Sequence, residues 1–152
     1  VTGDAILCDE VMLEKAIKNQ LEKGTDVTFI KNMPYGTARE VFTFNTIKTI
    51  TKNAEIPKNT EYLEWFLENS RNFKVSYIKS NYRFNNTIRL TLDYKEDLIL
   101  FNKIFKYFKN DVNKFTLKDV LLYLKKNPKI IKINNYHKPK FSRKDLNINL
   151  KI

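Results

Sequence analysis

The sequence is almost without the residues that build disulfides and zinc sites, because Cys8 and His137 are the single cysteine and the single histidine among 152 residues. One cysteine cannot form an internal disulfide, and two such side chains fall short of the usual zinc ligand set. No basic segment followed by an apolar core opens the chain, as a secretory signal would require. We therefore expect a cytoplasmic protein whose chemistry uses oxygen ligands.

Long apolar runs, glycine and proline are also scarce. The longest apolar run has five residues, Val120 to Leu124, whereas a bilayer span needs about 20. We therefore expect no membrane partner. Three glycines, four prolines and a hydrophobic fraction of 42% exclude collagen-like and low-complexity chains and suit one globular domain.

Arginine is the scarce basic residue, with 5 arginines against 23 lysines. A net charge of +11 ordinarily favours nucleic-acid binding, but arginine is the residue that makes bidentate contacts to phosphate and guanine. Lysine, asparagine and isoleucine have codons rich in A and T, so the base composition of the gene explains much of the lysine. We expect a solvated lysine surface and no nucleic-acid partner, and a basic nucleic-acid-binding domain remains the least favoured alternative.

Apolar spacing and turn residues predict strands and helices that alternate along the chain. Asp9 and Gly24 flank a predicted helix over 9–23 that buries one face. Strands are predicted at 26–30, 40–44, 73–78 and 88–92, and further helices near Ile47 and Ile50, over 60–69, after Asp93, and from Thr116 to before Pro128. Residues 129–152 form a basic tail. The alternation predicts an α/β fold with a layered sheet.

Ligands in such sheets bind beyond the carboxyl ends of the strands, where this pattern places Asp4 and Asp93. Carboxylates from two separate strands can hold Mg²⁺, which takes the rest of its coordination shell from water and substrate phosphates. Each residue also has a simpler interpretation, Asp4 as a turn residue and Asp93 as a helix N-cap paired with Glu96. The known motifs for dinucleotides, P-loops, zinc proteases and serine hydrolases are absent.

Five short motifs in a fixed order resemble one enzyme family. They are Val1 to Asp4, Pro34 to Phe42, Thr60 to Phe66, Arg89 to Asp97, and Lys114 to Asp119 continuing through Pro128 to Asn134. This order is similar to that of the spore-coat-polysaccharide, acylneuraminate and Kdo-type cytidylyltransferases. The resemblance implies a Rossmann-like, three-layer nucleotidyltransferase fold over residues 1–134, followed by a basic arm at 135–152.

The resemblance also implies an activity, the transfer of CMP from CTP to an acidic or related sugar with Mg²⁺ and release of pyrophosphate, for surface polysaccharide biosynthesis. It assigns the metal to Asp4 and Asp93 and the sugar-side loop to Tyr35, Gly36, Thr37 and Glu40. Arg39 and Arg89 are added here as candidates for a substrate carboxylate or phosphate, since guanidinium forks suit such groups. An ordinary ion pair is the simpler interpretation of Glu40 and Arg89.

The family's N-terminal segment, which grips the CTP triphosphate, has no counterpart in these 152 residues. We therefore expect the C-terminal portion of a longer enzyme, a portion that is inactive alone. CTP and the sugar are the expected partners, and a homodimer is left open. The alternative is a non-catalytic relative that acts as a binding or assembly module, with residues 129–152 docking a partner.

Overall fold

A computed structural model of the chain describes residues 3–54, 63–67, 71–111, 113 and 115–137. The elements in chain order are α1 (Glu10–Lys23), β1 (Val27–Lys31), β2 (Glu40–Phe42), α2 (Phe44–Asn53), α3 (Leu63–Leu67), β3 (Val75–Lys79), α4 (Lys95–Tyr107), α5 (Leu117–Lys126) and α6 (Pro128–Ile131). Most of the expected basic arm lies outside the described residues, and so do the two ends of the helix predicted over 60–69. No helix in the described ranges is long and apolar enough to cross a membrane.

The chain folds into two compact units with separate cores. The first is built from the described residues of Val1–Met12, Lys31–Arg39 and Lys79–Lys138, and the second from those of Leu13–Ile30 and Glu40–Ile78. Apolar side chains of α4 and α5, including Leu100, Phe101, Ile104, Val120 and Leu124, form the buried core of the first unit. A smaller cluster of Val27, Ile50, Phe66 and Leu67 forms the core of the second. The boundary expected at residue 134 stays a prediction.

Within the described residues the sheet has three strands, in the order β2-β1-β3. β1 and β2 are antiparallel, with Val27 opposite Phe42 and Phe29 opposite Glu40. β1 and β3 run in the same direction, because the Asp26 N–H donates to Lys74 O and the Ser80 N–H donates to Lys31 O, so the residue numbers rise together. The chain is therefore mixed α/β, as the sequence pattern predicts, but strands and helices do not alternate strictly, since α4, α5 and α6 follow one another. α6 also occupies the start of the stretch predicted as a basic tail.

Local capping signals are confirmed at two helices. Asp9 Oδ1 accepts a hydrogen bond of 3.0 Å from the Met12 N–H at the start of α1, and Gly24 follows the helix with a φ of 57°. At the start of α5 the Thr116 and Asp119 side chains each accept from the other's backbone N–H. These contacts join residues three apart, so short-range pattern is sufficient to find them.

The buried face of α1 differs from the predicted one. Met12, Ala16 and Gln20 are the buried residues, whereas Leu21 is 78% exposed, and Val11 and Ile17 are also exposed. The Gln20 amide donates to the carbonyl oxygens of Asp26 and Val41, so a polar side chain occupies the middle of the contact. Apolar spacing predicts a buried face made of Val11, Leu13, Ala16, Ile17 and Leu21. The prediction is confirmed at Ala16 and was wrong at Val11, Ile17 and Leu21, because the Gln20 hydrogen bonds to backbone carbonyls favour burial of a different side.

Alternation predicts that Phe73 and Val75 face inward, and both pack against the core of the second unit. The predicted facing was wrong farther along β3. The sequence pattern placed Tyr77 inward and Ser76 outward, but Ser76 is buried and Tyr77 is 57% exposed. Ser76 Oγ lies 2.7 Å from Thr28 Oγ1 and donates to Asn19 Oδ1 at 2.9 Å. Hydroxyl groups can face a protein interior when each has such a partner, and a pattern based on hydrophobicity does not detect this.

Residues 88–92 do not form the predicted strand. Among the described residues they make an isolated parallel bridge, between Arg89 and Tyr35. Their neighbours are turns containing Gly3, Pro34 and Gly36, which cannot supply a continuous ladder of backbone donors. Consequently Asp4 and Asp93 do not follow strands as predicted. Asp4 lies in a turn, and Asp93 lies between an extended segment and α4.

Gly36 lies at the closest approach between the turn that contains it and the extended segment. Its φ is 89°, and a Cβ built on it would lie 2.4 Å from Leu90 O and 2.7 Å from Thr91 Cβ. Real Cβ atoms do not tolerate such distances to backbone. Glycine is therefore required here for two independent reasons, backbone conformation and space.

We expect Gly36→Ala to destabilise the protein by about 3 kcal/mol or more, because a strained positive φ costs about 1–2 kcal/mol and overpacking adds a similar amount. Gly24→Ala is the matched control, since its φ of 57° is also positive but no heavy atom lies within 4 Å of the added Cβ. The measurement is the urea midpoint of each variant. Equal losses of stability would show that the turn does not press on the extended segment.

Candidate functional site

The extended segment 88–92 gathers two distant stretches of chain along one edge. The Leu90 N–H donates to Tyr35 O at 2.7 Å, and the Leu92 N–H donates to Asp4 O at 3.1 Å. Alternate N–H groups of an extended chain point to the same side, so Tyr35 and Asp4 lie one after the other along that side. The motifs that contain Asp4 and Tyr35 therefore both contact the motif that begins at Arg89.

Thr91 connects the two predicted metal ligands. Its Oγ1 lies 2.8 Å from Asp4 Oδ2 and 3.3 Å from Asp93 Oδ2. The two carboxylate oxygens are therefore no farther apart than about 6 Å, the two bonds placed end to end. A hydroxyl has one proton to donate, so it cannot fully satisfy both carboxylates. The sequence expectation that Asp4 and Asp93 converge agrees with this geometry.

Arg89 is the counter-charge of the site, and its side chain is only 6% exposed. Nε donates to Asp97 Oδ1 at 3.2 Å and Nη2 donates to Asp97 Oδ2 at 3.3 Å, which makes a forked ion pair. Nη2 also forms a short ion pair with Asp93 Oδ2. Burial opposes the charged form of Arg89, but these carboxylates outweigh it and raise the pKa of the guanidinium.

Asp97 accepts five hydrogen bonds, two of them from Arg89. Besides the two from Arg89, Oδ2 accepts from the N–H groups of Asp93 and Tyr94, both at 2.9 Å, and Oδ1 accepts from Asn134 Nδ2 at 2.8 Å. Burial alone would raise the pKa of Asp97, but the bonds from Arg89, Asn134 and the two N–H groups leave it below its usual value. Asp97 is therefore a buried carboxylate held in its charged form.

Asn134 brings the end of the described chain into this cluster. Its amide nitrogen donates both to Asp97 Oδ1 and to the Arg89 carbonyl oxygen at 3.1 Å, which fixes the orientation of the amide. Asn134 is 1% exposed, and its Oδ1 has no hydrogen-bond partner among the residues that the structure describes. The segment after α6 thus contributes one buried polar side chain to the site.

Aromatic rings cover the Arg89 guanidinium. The rings of Tyr35 and Tyr94 have their centroids 5.2 Å and 5.3 Å from Arg89 Cζ, within the range of cation–π attraction. His137 stacks on Tyr94 at 4.0 Å, and its Nε2 lies 3.1 Å from Glu96 Oε2. The rings therefore add cation–π attraction to the ion pairs that hold the guanidinium.

The remaining predicted residues have different settings. Thr37 is fully buried, and its hydroxyl donates to Pro34 O at 2.8 Å, so it shapes the turn that contains Gly36. Arg39 and Tyr35 are exposed. Glu40 belongs to the second unit, in β2, where it pairs with Phe29. The structure thus brings Asp4, Tyr35, Gly36, Thr37, Arg89 and Asp93 together within the first unit.

Three members of the site escaped the sequence prediction: Thr91, Asp97 and Asn134. The prediction paired Asp93 with Glu96 at the start of α4, but the cap residue is Tyr94 and the carboxylate that accepts its N–H is Asp97. A Tyr-x-x-Asp sequence lacks the Ser or Thr that marks a capping box, so the signal was weak. Asn134 is 37 residues from Asp97, and no local pattern connects them.

The donor set suits a hard divalent cation. Asp4 and Asp93 offer carboxylate oxygens, and the Asp93 side chain is 44% exposed to solvent. No cluster of three or more histidine, cysteine, aspartate or glutamate side chains able to hold a metal occurs in the described ranges. Two carboxylates with water and phosphate in the remaining positions is an arrangement Mg²⁺ accepts. The residues fit the ion, and the magnesium assignment stays a prediction.

Comparisons with known proteins identify relatives. No family model matches the chain. It is 31% identical over 137 residues to the protein MJ1063 of Methanocaldococcus jannaschii. The matched region covers 89% of this chain and 56% of MJ1063. It is 30% identical over 100 residues to the spore coat polysaccharide biosynthesis protein SpsF of Bacillus subtilis. That matched region covers 64% of this chain and 42% of SpsF. The chain thus spans about half the length of these curated relatives.

A solved structure shares the fold. The structure of a cytidylyltransferase from Leptospira borgpetersenii superposes with a TM-score of 0.75 at 23% identity, over 93% of this chain and 59% of that one. A match of this coverage confirms the expected nucleotidyltransferase fold for the part of that enzyme which this chain spans.

We expect Asp97→Asn to destabilise the protein by about 3 kcal/mol, because it removes a charged partner from a buried arginine. Asp119→Asn is the matched control. Asp119 occupies the same position in the first turn of α5, but its partner is the exposed Thr116, so about 1 kcal/mol or less is expected. Urea unfolding measures both. A loss at Asp97 no larger than at Asp119 would show that the Arg89 pair adds nothing to stability.

Proposed function

We propose that this chain is part of a cytidylyltransferase, and that its protein transfers CMP from CTP to an acidic or related sugar in the biosynthesis of a surface polysaccharide. Two findings support the proposal. The fold is that of the cytidylyltransferase from Leptospira borgpetersenii, and the relative SpsF is described as a spore coat polysaccharide biosynthesis protein. The structural observation that carries it is the pair of carboxylates of Asp4 and Asp93 on either side of the Thr91 hydroxyl.

The proposed reaction is a nucleotidyl transfer. A sugar hydroxyl oxygen forms a bond to the α-phosphorus of CTP, the bond from that phosphorus to the oxygen bridging the β-phosphate breaks, and pyrophosphate and the hydroxyl proton are released. Such a reaction depends on positioning and on offsetting negative charge at the phosphate. Magnesium, when bound, supplies the positive charge for this purpose.

Asp4 and Asp93 are the residues we propose to hold magnesium. They come from two different segments of chain in the first unit, and the contacts of Leu92 with Asp4 and of Thr91 with both carboxylates keep them together. Fixed ligands lower the cost of organising the ion during the reaction. The exposed side of Asp93 leaves room for phosphate oxygens and water.

The turn at 34–39 is proposed to face the sugar. Its exposed side chains, Tyr35 and Arg39, are the ones able to contact a substrate, and Arg39 suits a sugar carboxylate. Gly36 and Thr37 have a supporting part, since Gly36 allows the close approach to Leu90 and the Thr37 hydroxyl is used within the turn. Glu40, at the start of β2, remains a proposed sugar contact from the family resemblance alone.

The test is pyrophosphate release from CTP in the presence of a panel of acidic sugars and Mg²⁺. The complete gene product is assayed, and the 152-residue chain is assayed in parallel. We expect CTP to be used in preference to ATP, GTP and UTP. Asp4→Asn and Asp93→Asn should each lower kcat by about 100-fold or more while the circular dichroism spectrum stays unchanged.

Asp111→Asn is the matched control for this experiment. Asp111 accepts a hydrogen bond from the Asn113 N–H, outside the site, and an asparagine oxygen can still accept it. Its kcat should equal that of the wild type. Unchanged turnover in Asp4→Asn or Asp93→Asn would remove the metal assignment, and no pyrophosphate release with any sugar would favour the non-catalytic alternative.

A further inference from the structure

We propose that Arg89 is a positioning residue, which fixes the carboxylate of Asp93 in place and does not itself meet a substrate. The inference rests on the proposed function in one respect, because the proposed function makes Asp93 a metal ligand. It replaces the sequence hypothesis that Arg89 receives a substrate carboxylate or phosphate. Burial, hydrogen bonding and ring contacts each bear on it.

The Arg89 guanidinium is already committed to protein groups. Nε and Nη2 both point at Asp97, and Nη2 also pairs with Asp93. With 6% of its side chain exposed, Arg89 would have to leave this arrangement to reach a substrate. Leaving would strand the fully buried Asp97 without its counter-charge, which is strongly unfavourable.

Asp93, in contrast, has little else to fix its side chain. It is exposed, precedes the first turn of α4, and comes after a segment with no strand ladder of its own. Within the described residues, its carboxylate otherwise contacts the Thr91 hydroxyl at 3.3 Å, and that hydroxyl is nearer to Asp4. An exposed aspartate in such a place samples several rotamers unless a fixed partner selects one.

One carboxylate anchors both the side chain and the backbone at this position. Asp97 orients Arg89 through the forked pair, and it also accepts the Asp93 N–H at 2.9 Å. Asn134 holds the other oxygen of Asp97, so Asp97 cannot turn away from either contact. The position of Asp93 is therefore set from two directions by a single buried group.

The rings of Tyr35 and Tyr94 restrict the remaining freedom of Arg89. Their centroids lie 5.2 Å and 5.3 Å from Cζ, so a large displacement of the guanidinium would lose both ring contacts. A lysine at this position would keep the charge but not the fork, since an ammonium is a single point donor group. Arg89→Lys therefore separates the need for a positive charge from the need for a guanidinium.

The direct test measures the χ1 rotamer of Asp93 by NMR scalar couplings in the 152-residue chain. We expect one rotamer in the wild type and averaging among rotamers in Arg89→Lys. If Arg89→Lys does not fold by circular dichroism, the double variant Arg89→Gln, Asp97→Asn serves instead, because both buried charges leave together and such replacements are far less costly. Averaging is expected there as well. A single unchanged Asp93 rotamer in the folded variant would overturn the proposal.

A second measurement uses Mn²⁺ as the probe of the cation site, with binding followed by electron paramagnetic resonance. Arg89→Lys should weaken Mn²⁺ binding by about 10-fold, as substitution of an orienting residue does. In an Asp93→Asn background the same substitution should cause no further change, because Arg89 acts through Asp93. Arg83→Lys, an exposed arginine of the same unit, is the control and should bind as the wild type does.

The outcomes separate this inference from the proposed function. One outcome is that no assay detects CTP-dependent activity, while the Asp93 side chain averages among rotamers in Arg89→Lys. That result would support this inference and contradict the proposed function. An active enzyme in which Arg89→Lys raises KM for the sugar, with kcat and the Asp93 rotamer unchanged, would instead make Arg89 a substrate contact and overturn the inference.

Discussion

The ion pair between Arg89 and Asp97 is the interaction on which the candidate site depends. Both side chains are buried, and a buried charge is tolerated when it is paired and its remaining hydrogen-bonding groups are satisfied. Asp97 meets that condition through Asn134 and two backbone N–H groups, and Arg89 through Asp93 and two aromatic rings. Because one pair satisfies so many groups, the residues around it have little freedom to rearrange.

This arrangement takes the place of a sheet in the first unit. In many α/β proteins the strands themselves position the side chains at their ends. Here the segment 88–92 has an isolated bridge to Tyr35, and its position depends on single hydrogen bonds to Tyr35 and Asp4, on the close contact with Gly36, and on the Asp97 carboxylate. Side chains preorganise a site of this kind. Substituting a residue that supports the site is therefore expected to disturb it, as substituting a residue that performs the chemistry does.

Several features of the fold follow from local sequence. The ends of α1 and α5 were predicted correctly, because Asp9 and Thr116 contact N–H groups three residues away. The buried face of α1 and the facing of β3 were not, because Gln20 and Ser76 are buried through hydrogen bonds to groups that are distant in the chain. A prediction based on hydrophobicity places a polar residue at the surface, because it contains no information about a hydrogen-bond partner that is distant in the chain.

The sequence by itself determined most of the helices, three of the four predicted strands, the caps of α1 and α5, the family motifs and the two aspartates that the metal prediction rests on. Only the tertiary structure decided that Asp4 and Asp93 share the Thr91 hydroxyl, because Asp4 and Thr91 are 87 residues apart in the chain. It also decided that Arg89 is buried against Asp97. Local pattern reports which backbone conformation a residue favours. Contacts between distant residues depend on how whole elements pack, since each of them gains stability only when the others have formed.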